Sequence, residues 1–222
     1  KDKYQTKIAV VEALECPTLL HGGYGEHNIQ GIGDKHVPLI HNVMNTDFVV
    51  DISDKATDNL NLVFNSQVGR EYLIKSLGLE SSLVNKLPEF GFSSIANILA
   101  SIKLAKYMNL GKEDAILTVA TDGADLYLSE LEKTKNSFQG TFDKIACENI
   151  YSKYLKKIDT DNMLELSKND KERIFNLGYY TWVEQQGVSL SDFENRKDQK
   201  FWLNHYKHMI SLDDRVEEFN KL

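Results

Sequence analysis

Short apolar runs alternate with longer helical patterns over the first 140 residues of this 222-residue chain. Residues 7–13 (KIAVVEA), 47–53 (DFVVDIS) and 115–121 (AILTVAT) form nearly continuous apolar runs, which are typical of buried parallel strands. Residues 54–77, with Ser53 or Asp54 as N-cap, and residues 93–108 carry apolar side chains at helical spacing. Strands that alternate with helices of this length predict right-handed βαβ units and a parallel sheet, so the expected fold class is α/β.

The pattern changes at about residue 140, beyond which only helical spacing recurs and no strand-like run is found. We therefore predict two domains. Residues 1–140 form the α/β domain, and residues 141–222 form an all-helical C-terminal extension.

The composition is that of a globular chain, with 41% hydrophobic and 27% charged residues. The net charge of -7 and the lack of a basic patch disfavour nucleic-acid and anionic-membrane partners. Cys16 and Cys147 are far apart, which favours a reducing compartment, and no signal peptide or membrane span is evident. We expect a cytoplasmic protein, and the first residue, Lys1 rather than a methionine, suggests a piece of a longer polypeptide.

Residues 25–33 (GEHNIQGIG) contain three glycines and a GxG pair after an apolar run. The stretch does not match a dinucleotide fingerprint, because no third glycine follows and Pro38 interrupts any helix there. It does not match GxxxxGK[ST] either. Two interpretations remain open: a surface loop with turn glycines, or a loop whose glycines let the backbone approach a flat ligand.

The motif order resembles the C-terminal half of the cysteine synthase and cystathionine β-synthase group over roughly residues 6–130. The motifs are IQGIG at 29–33, GFSSIANILASIKLAK at 91–106 and TDGADLY at 121–127. These relatives are pyridoxal-phosphate enzymes of the tryptophan-synthase-β fold type. The resemblance implies the parallel, three-layer α/β fold of fold-type-II enzymes, with pyridoxal 5'-phosphate as cofactor.

The resemblance also implies which residues face the cofactor. The Gln-Gly-Ile-Gly loop would lie alongside the ring, the serine of GFSSIA would meet the pyridine nitrogen, and TDGADLY would lie on the cofactor side of the sheet. The implied cofactor-binding residues are Gln30, Gly31, Ile32, Gly33, Ser93, Asp122 and Gly123. Ser93 can alternatively be an ordinary helix N-cap, and one residue can serve both roles.

A serine at the pyridine nitrogen has a chemical consequence. A hydroxyl can bond the neutral nitrogen but cannot hold it protonated as a carboxylate would, so the ring is a weaker electron sink. Such a site suits β-elimination or β-replacement on a small amino acid of the serine or cysteine type. Ile95, Thr121 and Asp125–Leu126 depart from the family pattern, which leaves the substrate open.

The family's Schiff-base lysine and phosphate loop lie N-terminal to the matched segment. Lys35, Lys103 and Lys106 are not in the lysine motif, and nothing in the sequence gives them a desolvating pocket. We therefore expect no catalytic residue in this chain, which alone should be inactive and should act with the N-terminal half of the same enzyme, in a homodimer. That half would hold most of the cofactor. The alternative is a non-catalytic binding or assembly module that keeps the fold.

The remaining histidines and the aromatic cluster are expected to have structural roles. His205 and His208 lie three apart on a predicted helix, but no carboxylate motif such as HExxH accompanies them, so a packed or surface face is expected and no metal site. Histidines also flank the glycine stretch, and they are expected to be solvated unless they meet substrate. These are His27, His36 and His41. The aromatic cluster Tyr179, Tyr180 and Trp182 predicts helix-packing core.

Overall fold

The computed structural model describes residues 6–140 and 142–221, with their side chains except that of Ile210. Three strands form one sheet in the order β1-β2-β3. The strands are β1 (Ala9–Ala13), β2 (Phe48–Ile52) and β3 (Met163–Glu165). The fold is thus α/β with a small sheet, as the alternation of apolar runs and helical patterns predicts.

The sheet is mixed rather than parallel. Strands β1 and β2 are parallel, because Phe48 N–H bonds the Ile8 carbonyl at 3.0 Å and Leu14 N–H bonds the Ile52 carbonyl at 2.9 Å. Strand β3 is antiparallel to β2, since the bond of Asp51 N–H to the Asn162 carbonyl pairs one end of β3 with the far end of β2. The expectation that residues 141–222 contain only helices is therefore wrong at β3. This strand is too short to produce a periodic signal.

Residues 115–121 do not form the third predicted strand. The segment is extended and exposed, and the Leu117 and Val119 side chains are 99% and 67% exposed. An apolar run becomes a strand only when a neighbouring strand satisfies its N–H and C=O groups, and within the described residues no strand pairs with this one. The apolar run predicts a burial for residues 115–121 that the sheet of the described residues does not provide.

The chain divides into two compact units. The first, which we call the site unit, comprises residues 11–35 and 50–164. The second, the tail unit, comprises 36–49 with the described residues of 1–10 and 165–222. The domain boundary expected at residue 140 is based on the change in sequence pattern, whereas these two units are defined by contacts between residues. The boundary at residue 140 therefore stays a prediction.

Helix α2 is the centre of the site unit and packs against four other helices, α3, α5, α6 and α7. The helices of this unit are α1 (Thr18–His21), α2 (Asp54–Asn65), α3 (Gln67–Lys75), α4 (Ser81–Val84), α5 (Phe92–Tyr107), α6 (Leu128–Ser137) and α7 (Lys144–Tyr151). Short 3-10 turns at Leu87–Glu89 and Ala124–Tyr127 and a π-helical turn at Ser152–Lys156 connect them. Leu60, Ile95 and Leu99 are among its fully buried core side chains.

Serine caps decide where the first helices begin. Ser53 Oγ accepts the Ala56 N–H at 3.3 Å, which confirms the predicted start of α2. Ser66 Oγ accepts the Gly69 N–H at 3.0 Å, so a new helix starts there and divides the helical stretch predicted over 54–77. The two caps convert one predicted helical stretch into α2 and α3.

The tail unit is built around helices α8 (Lys168–Leu177), α9 (Leu190–Asn195) and α10 (Gln199–Phe219). It also contains a 3-10 turn at Val43–Asn45 and a π-helical turn at Tyr180–Gln185. The buried Arg196 guanidinium lies 4.7 Å from the Phe193 ring and donates to the Leu39 carbonyl at 3.0 Å. Among the described residues no helix is both long and apolar enough to cross a membrane.

Aromatic residues of the tail unit are less buried than their spacing predicts. Tyr180 is 65% exposed, so it is not core, whereas Trp182 Nε1 donates to the Val37 carbonyl at 2.7 Å. His205 and His208 lie on an exposed face of α10, and the His205 ring is 4.3 Å from the Phe201 ring.

Candidate functional site

The Ser93 hydroxyl is buried at the start of α5. Helix α5 begins at Phe92 with Gly91 as its N-cap, so Ser93 is the second residue of the helix and is not the cap. Its side chain is 3% exposed, and its Oγ lies 2.7 Å from Thr121 Oγ1. The N-cap interpretation of Ser93 is therefore wrong, and its hydroxyl is engaged in side-chain bonding instead.

Thr121 joins three hydroxyl or carboxylate groups. Its Oγ1 lies 3.2 Å from Ser94 Oγ and donates to Asp122 Oδ1 at 3.0 Å. Its backbone N–H donates to Ser94 Oγ at 2.9 Å. These bonds fasten the end of the exposed 115–121 segment to the first turn of α5, and they place Thr121 between Ser93 and Asp122.

Asp122 is held from two sides. Its Oδ2 accepts a hydrogen bond from the Tyr127 hydroxyl, and its backbone carbonyl accepts the Gly91 N–H at 2.7 Å. Burial, then the bond to Asp122, raises the pKa of Tyr127 to about 12. A Cβ at Gly91 would lie 2.6 Å from Asp122 Oδ1, so the first turn of α5 needs a glycine where this carboxylate approaches.

The glycine loop reaches the same hydroxyl. Gly31 and Gly33 have φ of +84° and +82°, a conformation that disfavours side chains. A Cβ on Gly31 would lie 3.9 Å from Ser93 Oγ. The loop is anchored because Asn28 N–H and Ile29 N–H both donate to the Asp54 carboxylate, at 2.6 and 3.1 Å.

The structure thus places Ser93 beside both Gly31 and Thr121, and Thr121 in turn bonds Asp122. Gln30 is exposed and donates back to the Asn28 carbonyl at 3.3 Å. Ile32 is half-buried beside the loop glycines, and the Gly33 carbonyl lies 2.9 Å from His27 Nε2. Neither of these two hydrogen bonds involves Ser93, so the loop meets the serine through Gly31.

Gly123 faces a different space. It begins the 3-10 turn that carries Tyr127, and it lines an open cavity of about 560 Å³ together with Thr121, Asp122 and Pro88. Ser93 and Gly31 do not line this cavity. A larger groove of about 790 Å³, lined by residues of α2, α6 and α7, contains none of the predicted site residues.

The histidines and lysines near the motifs are distributed over both units. His27 belongs to the glycine loop, whereas His36 and His41 belong to the tail unit. Lys35 and Lys106 are exposed, but Lys103 is 5% exposed, so the expectation that no pocket desolvates it is wrong. Lys103 follows Ser93 by ten residues on α5, about 15 Å along the helix axis, and so lies away from the serine.

The residues around Ser93 suit the edge of a flat heteroaromatic ring. A serine hydroxyl has one donor, so Ser93 can donate to a ring nitrogen only when the Thr121 O–H turns from Asp122 to Ser93 Oγ. Gly31 carries no side chain where a Cβ would lie 3.9 Å from Ser93 Oγ, and a glycine lets the backbone approach a flat ring closely. These groups fit pyridoxal phosphate at its nitrogen, whereas phosphate-binding and imine-forming groups are not among them.

Two residues of this site have roles that sequence reasoning missed. In the sequence, Thr121 stands out only as a departure from the family pattern, and Tyr127 only as part of the TDGADLY motif. The sequence does contain a pattern that could have identified both residues, because hydroxyl and carboxylate groups cluster in TDGADLY directly after an apolar run. What that cluster touches depended on α5, which precedes it in the chain by more than a dozen residues.

Comparisons with known proteins give a partial likeness. No family model matches the chain, and no solved structure matches it. The chain is 34% identical over 122 residues to cysteine synthase B of Campylobacter jejuni, which covers 55% of this chain and 33% of that protein. It is 29% identical over 111 residues to mitochondrial intermediate peptidase of Schizosaccharomyces pombe, which covers 50% of this chain and 15% of that protein. The chain spans at most about a third of the length of these curated relatives, and the first likeness supports a cysteine synthase-like relationship over about half of the chain.

Proposed function

We propose that this chain supplies the pyridine-side wall of a pyridoxal-phosphate site in a cysteine synthase-like lyase or β-replacement enzyme. The observation that carries the proposal is the buried Ser93 hydroxyl, which is bonded to Thr121 and faces the side-chain-free Gly31. The 34% identity to a cysteine synthase supports it. The substrate would be a small amino acid of the serine or cysteine type.

Ser93 orients the cofactor ring. When bound, pyridoxal phosphate supplies the electron sink for chemistry at the amino acid's α- and β-carbons. Ser93 donates its O–H to the ring nitrogen and keeps that nitrogen neutral, because a hydroxyl is too weak an acid to transfer its proton. This favours elimination and replacement at the β-carbon over transamination.

Thr121 and Asp122 decide where the Ser93 proton points. Thr121 has one O–H, which donates either to Asp122 or to Ser93. When Thr121 donates to Ser93, the Ser93 O–H is free to donate to the ring nitrogen. Tyr127 donates a hydrogen bond to Asp122, so this carboxylate keeps one donor when the Thr121 O–H turns to Ser93.

The remaining parts of the site belong, in this proposal, to the N-terminal half of the same enzyme. That half would carry the imine-forming lysine and the phosphate loop, and this chain has no catalytic residue of its own. Residues 115–121 would then pair with its strands and complete the parallel three-layer sheet, which accounts for the exposed Leu117 and Val119. We further propose a cytoplasmic homodimer.

The proposal is tested on the protein that joins this chain to the N-terminal half. Pyridoxal phosphate is added, and its visible absorption is followed before and after addition of L-serine or L-cysteine. A protein-bound band that changes with the amino acid supports the proposal. No bound cofactor at saturating concentration contradicts it.

The alternative is a binding or assembly module without catalysis. Ile95 motivates it, because this residue replaces a small glycine of the family pattern two positions after Ser93 and is 1% exposed. Ile95→Gly separates the two functions. If the native protein binds no pyridoxal phosphate and Ile95→Gly restores binding, the bulky side chain has closed the site and the module is the better description.

A further inference from the structure

The last helix of the chain has a long exposed segment. Helix α10 contains 21 residues, which makes it about 30 Å long. Its start is fixed within the tail unit, because Trp202 Nε1 donates to the Arg196 carbonyl at 2.8 Å and the Gln199 amide exchanges hydrogen bonds with Asn42. From residue 203 to residue 219, every side chain that the structure describes is exposed.

Apolar side chains line one face of this segment. Met209 and Val216 are seven residues apart, and so are Leu212 and Phe219, which is the heptad spacing of a coiled coil. These four residues are between 51% and 74% exposed. Two residues near the start of the helix continue the spacing. The resulting face, which we call the α10 stripe, consists of Trp202, His205, Met209, Leu212, Val216 and Phe219.

An exposed helix with such a face needs a partner. Even in long helices, most of the stability in a folded protein comes from the packing of an apolar face rather than from the helix itself. Among the described side chains of residues 203–219, none is buried. Packing of the α10 stripe against another helix would therefore stabilise α10 and remove its apolar side chains from water.

Charge distinguishes the two halves of α10. Residues 199–209 contain Lys200 and Lys207 and no acid, which gives a net charge of +2 with neutral histidines. Residues 210–221 contain four acids against two bases, which gives -2. The charged residues of this second half are Asp213, Asp214, Glu217, Glu218, Arg215 and Lys221. A second copy of α10 in antiparallel orientation has the complementary distribution, and its helix dipole is also oriented favourably.

We propose that the α10 stripe pairs with the same stripe of a second copy of this chain, as a short antiparallel coiled coil. A two-fold axis at the middle of the stripe places Met209 of one copy beside Leu212 of the other. The same axis places His205 beside Val216, and Trp202 beside Phe219. Because each contact occurs twice, the pairing closes as a dimer.

Polar residues at the edges of the stripe are compatible with this arrangement. On one edge, Tyr206 of one copy lies beside Asp213 of the other, so the phenol can donate to the carboxylate. On the other edge, His208 lies beside Arg215, and a neutral imidazole can accept from the guanidinium. Tyr206 is 63% exposed in the single chain, so its hydroxyl is accessible to a second copy.

The pairing specifies the surface of the homodimer in the proposed function, and it does not depend on the cofactor. Helix α10 belongs to the tail unit, whereas Ser93 and Thr121 belong to the site unit. Dimerisation can therefore be measured on this chain without pyridoxal phosphate. A monomeric chain would leave the cofactor proposal standing, and failure to bind the cofactor would leave the α10 dimer standing.

The first experiment is analytical ultracentrifugation of the chain over a range of concentrations. We expect a monomer–dimer equilibrium with a Kd of about 10 µM or tighter. Leu212→Arg should raise the Kd at least about a hundredfold, because each copy then places a charge in the apolar contact. Leu212 is exposed in the single chain, so this variant should still fold, as circular dichroism will show.

Ser211→Arg is the matched control. It adds the same charge one residue away, on the polar face of α10, and should change the Kd less than about threefold. An unchanged Kd in Leu212→Arg assigns any dimer to another surface and overturns the proposal. A chain that stays monomeric up to about 200 µM also overturns it, and leaves the stripe to the N-terminal half of the enzyme or to another protein.

The second experiment tests the orientation by disulfide formation. Cys16 and Cys147 are buried, so cysteines introduced into α10 are the accessible ones. A mixture of His205→Cys and Val216→Cys chains should form a crosslinked heterodimer. Each variant alone should not, because identical positions lie about 16 Å apart in the antiparallel pair, beyond the reach of a disulfide. Efficient crosslinking of His205→Cys alone would show a parallel pair and overturn the antiparallel arrangement.

Discussion

The Ser93 hydroxyl lies 2.7 Å from the Thr121 hydroxyl, and this pair joins the first turn of α5 to the end of an exposed extended segment. The two residues are 28 positions apart in the chain. Thr121 also donates to Asp122, and Asp122 accepts from Tyr127. A continuous series of side-chain hydrogen bonds therefore runs from Tyr127 to Ser93.

Replacement of Thr121 by valine should remove the partner of Ser93. We expect a loss of about 1 kcal/mol in the free energy of unfolding, the usual contribution of one hydrogen bond, measured by urea denaturation. Thr121→Ser keeps a hydroxyl and should restore most of it. Thr118→Val, at an exposed position of the same segment, is the control and should be neutral. Equal effects of the two valine variants would contradict a specific role for the Thr121 hydroxyl.

Replacement of Gly31 by alanine should act in two ways. The φ of +84° predicts a loss of about 1–3 kcal/mol in unfolding free energy. The added Cβ also enters the space beside Ser93 Oγ, which should weaken pyridoxal-phosphate binding in the protein that includes the N-terminal half.

Gly78→Ala provides the matched control for Gly31→Ala. Gly78 has a φ of +71°, and a Cβ there meets nothing within 4 Å. It should lose similar stability while cofactor absorbance titrations remain unchanged. If both variants bind the cofactor equally well, Gly31 does not face the ring.

The bond from Tyr127 to Asp122 should be visible in a tyrosine titration. The pKa of Tyr127 is raised to about 12, against an ordinary value of 10.0. The folded chain therefore holds this proton between pH 10 and 12 while the unfolded chain releases it, so the stabilising contribution is present below pH 10 and is lost as pH rises toward 12. Ultraviolet titration of the native chain should show one fewer late-titrating tyrosine in Tyr127→Phe.

Asp51 should make the chain less stable as the pH rises. The pKa of Asp51 is about 8 in the fold and 3.8 ordinarily, so the native state holds a proton that the unfolded state releases between about pH 4 and 8. Stability from this group is complete below pH 4 and is lost through that window. Glu12, whose pKa is also raised by burial, acts in the same direction.

Asp51→Asn should reduce the loss of unfolding free energy between pH 5 and 8 by about 1–3 kcal/mol, measured by urea denaturation at both pH values. Asp161→Asn removes an exposed carboxylate, so it is the control and should keep the native pH dependence. An unchanged slope in Asp51→Asn would mean that Asp51 is ionised in the fold at neutral pH.

Local sequence signals were sufficient for the elements whose causes are local. The apolar runs around Val10 and Val50 predicted β1 and β2, and helical spacing predicted α2 and α5. Ser53 was recognised as a cap because a cap bonds an N–H three residues away. The motif resemblance named Gly31, Ser93 and Asp122, which the fold does bring together, although their contact with a cofactor remains a prediction.

Tertiary structure decided the features that need a partner distant in the chain. An apolar run at 115–121 could not reveal that no strand pairs with it, and Ser93 could not reveal that its hydroxyl meets Thr121 rather than the helix end. Asp51 and Lys103 read as polar interruptions of apolar patterns, and only packing buried both beside one cavity. Periodicity and capping act over a few residues, whereas strand pairing, hydroxyl networks and charge burial depend on which distant segments pack together. The sequence by itself therefore determined the secondary-structure elements, and the tertiary fold determined the sites.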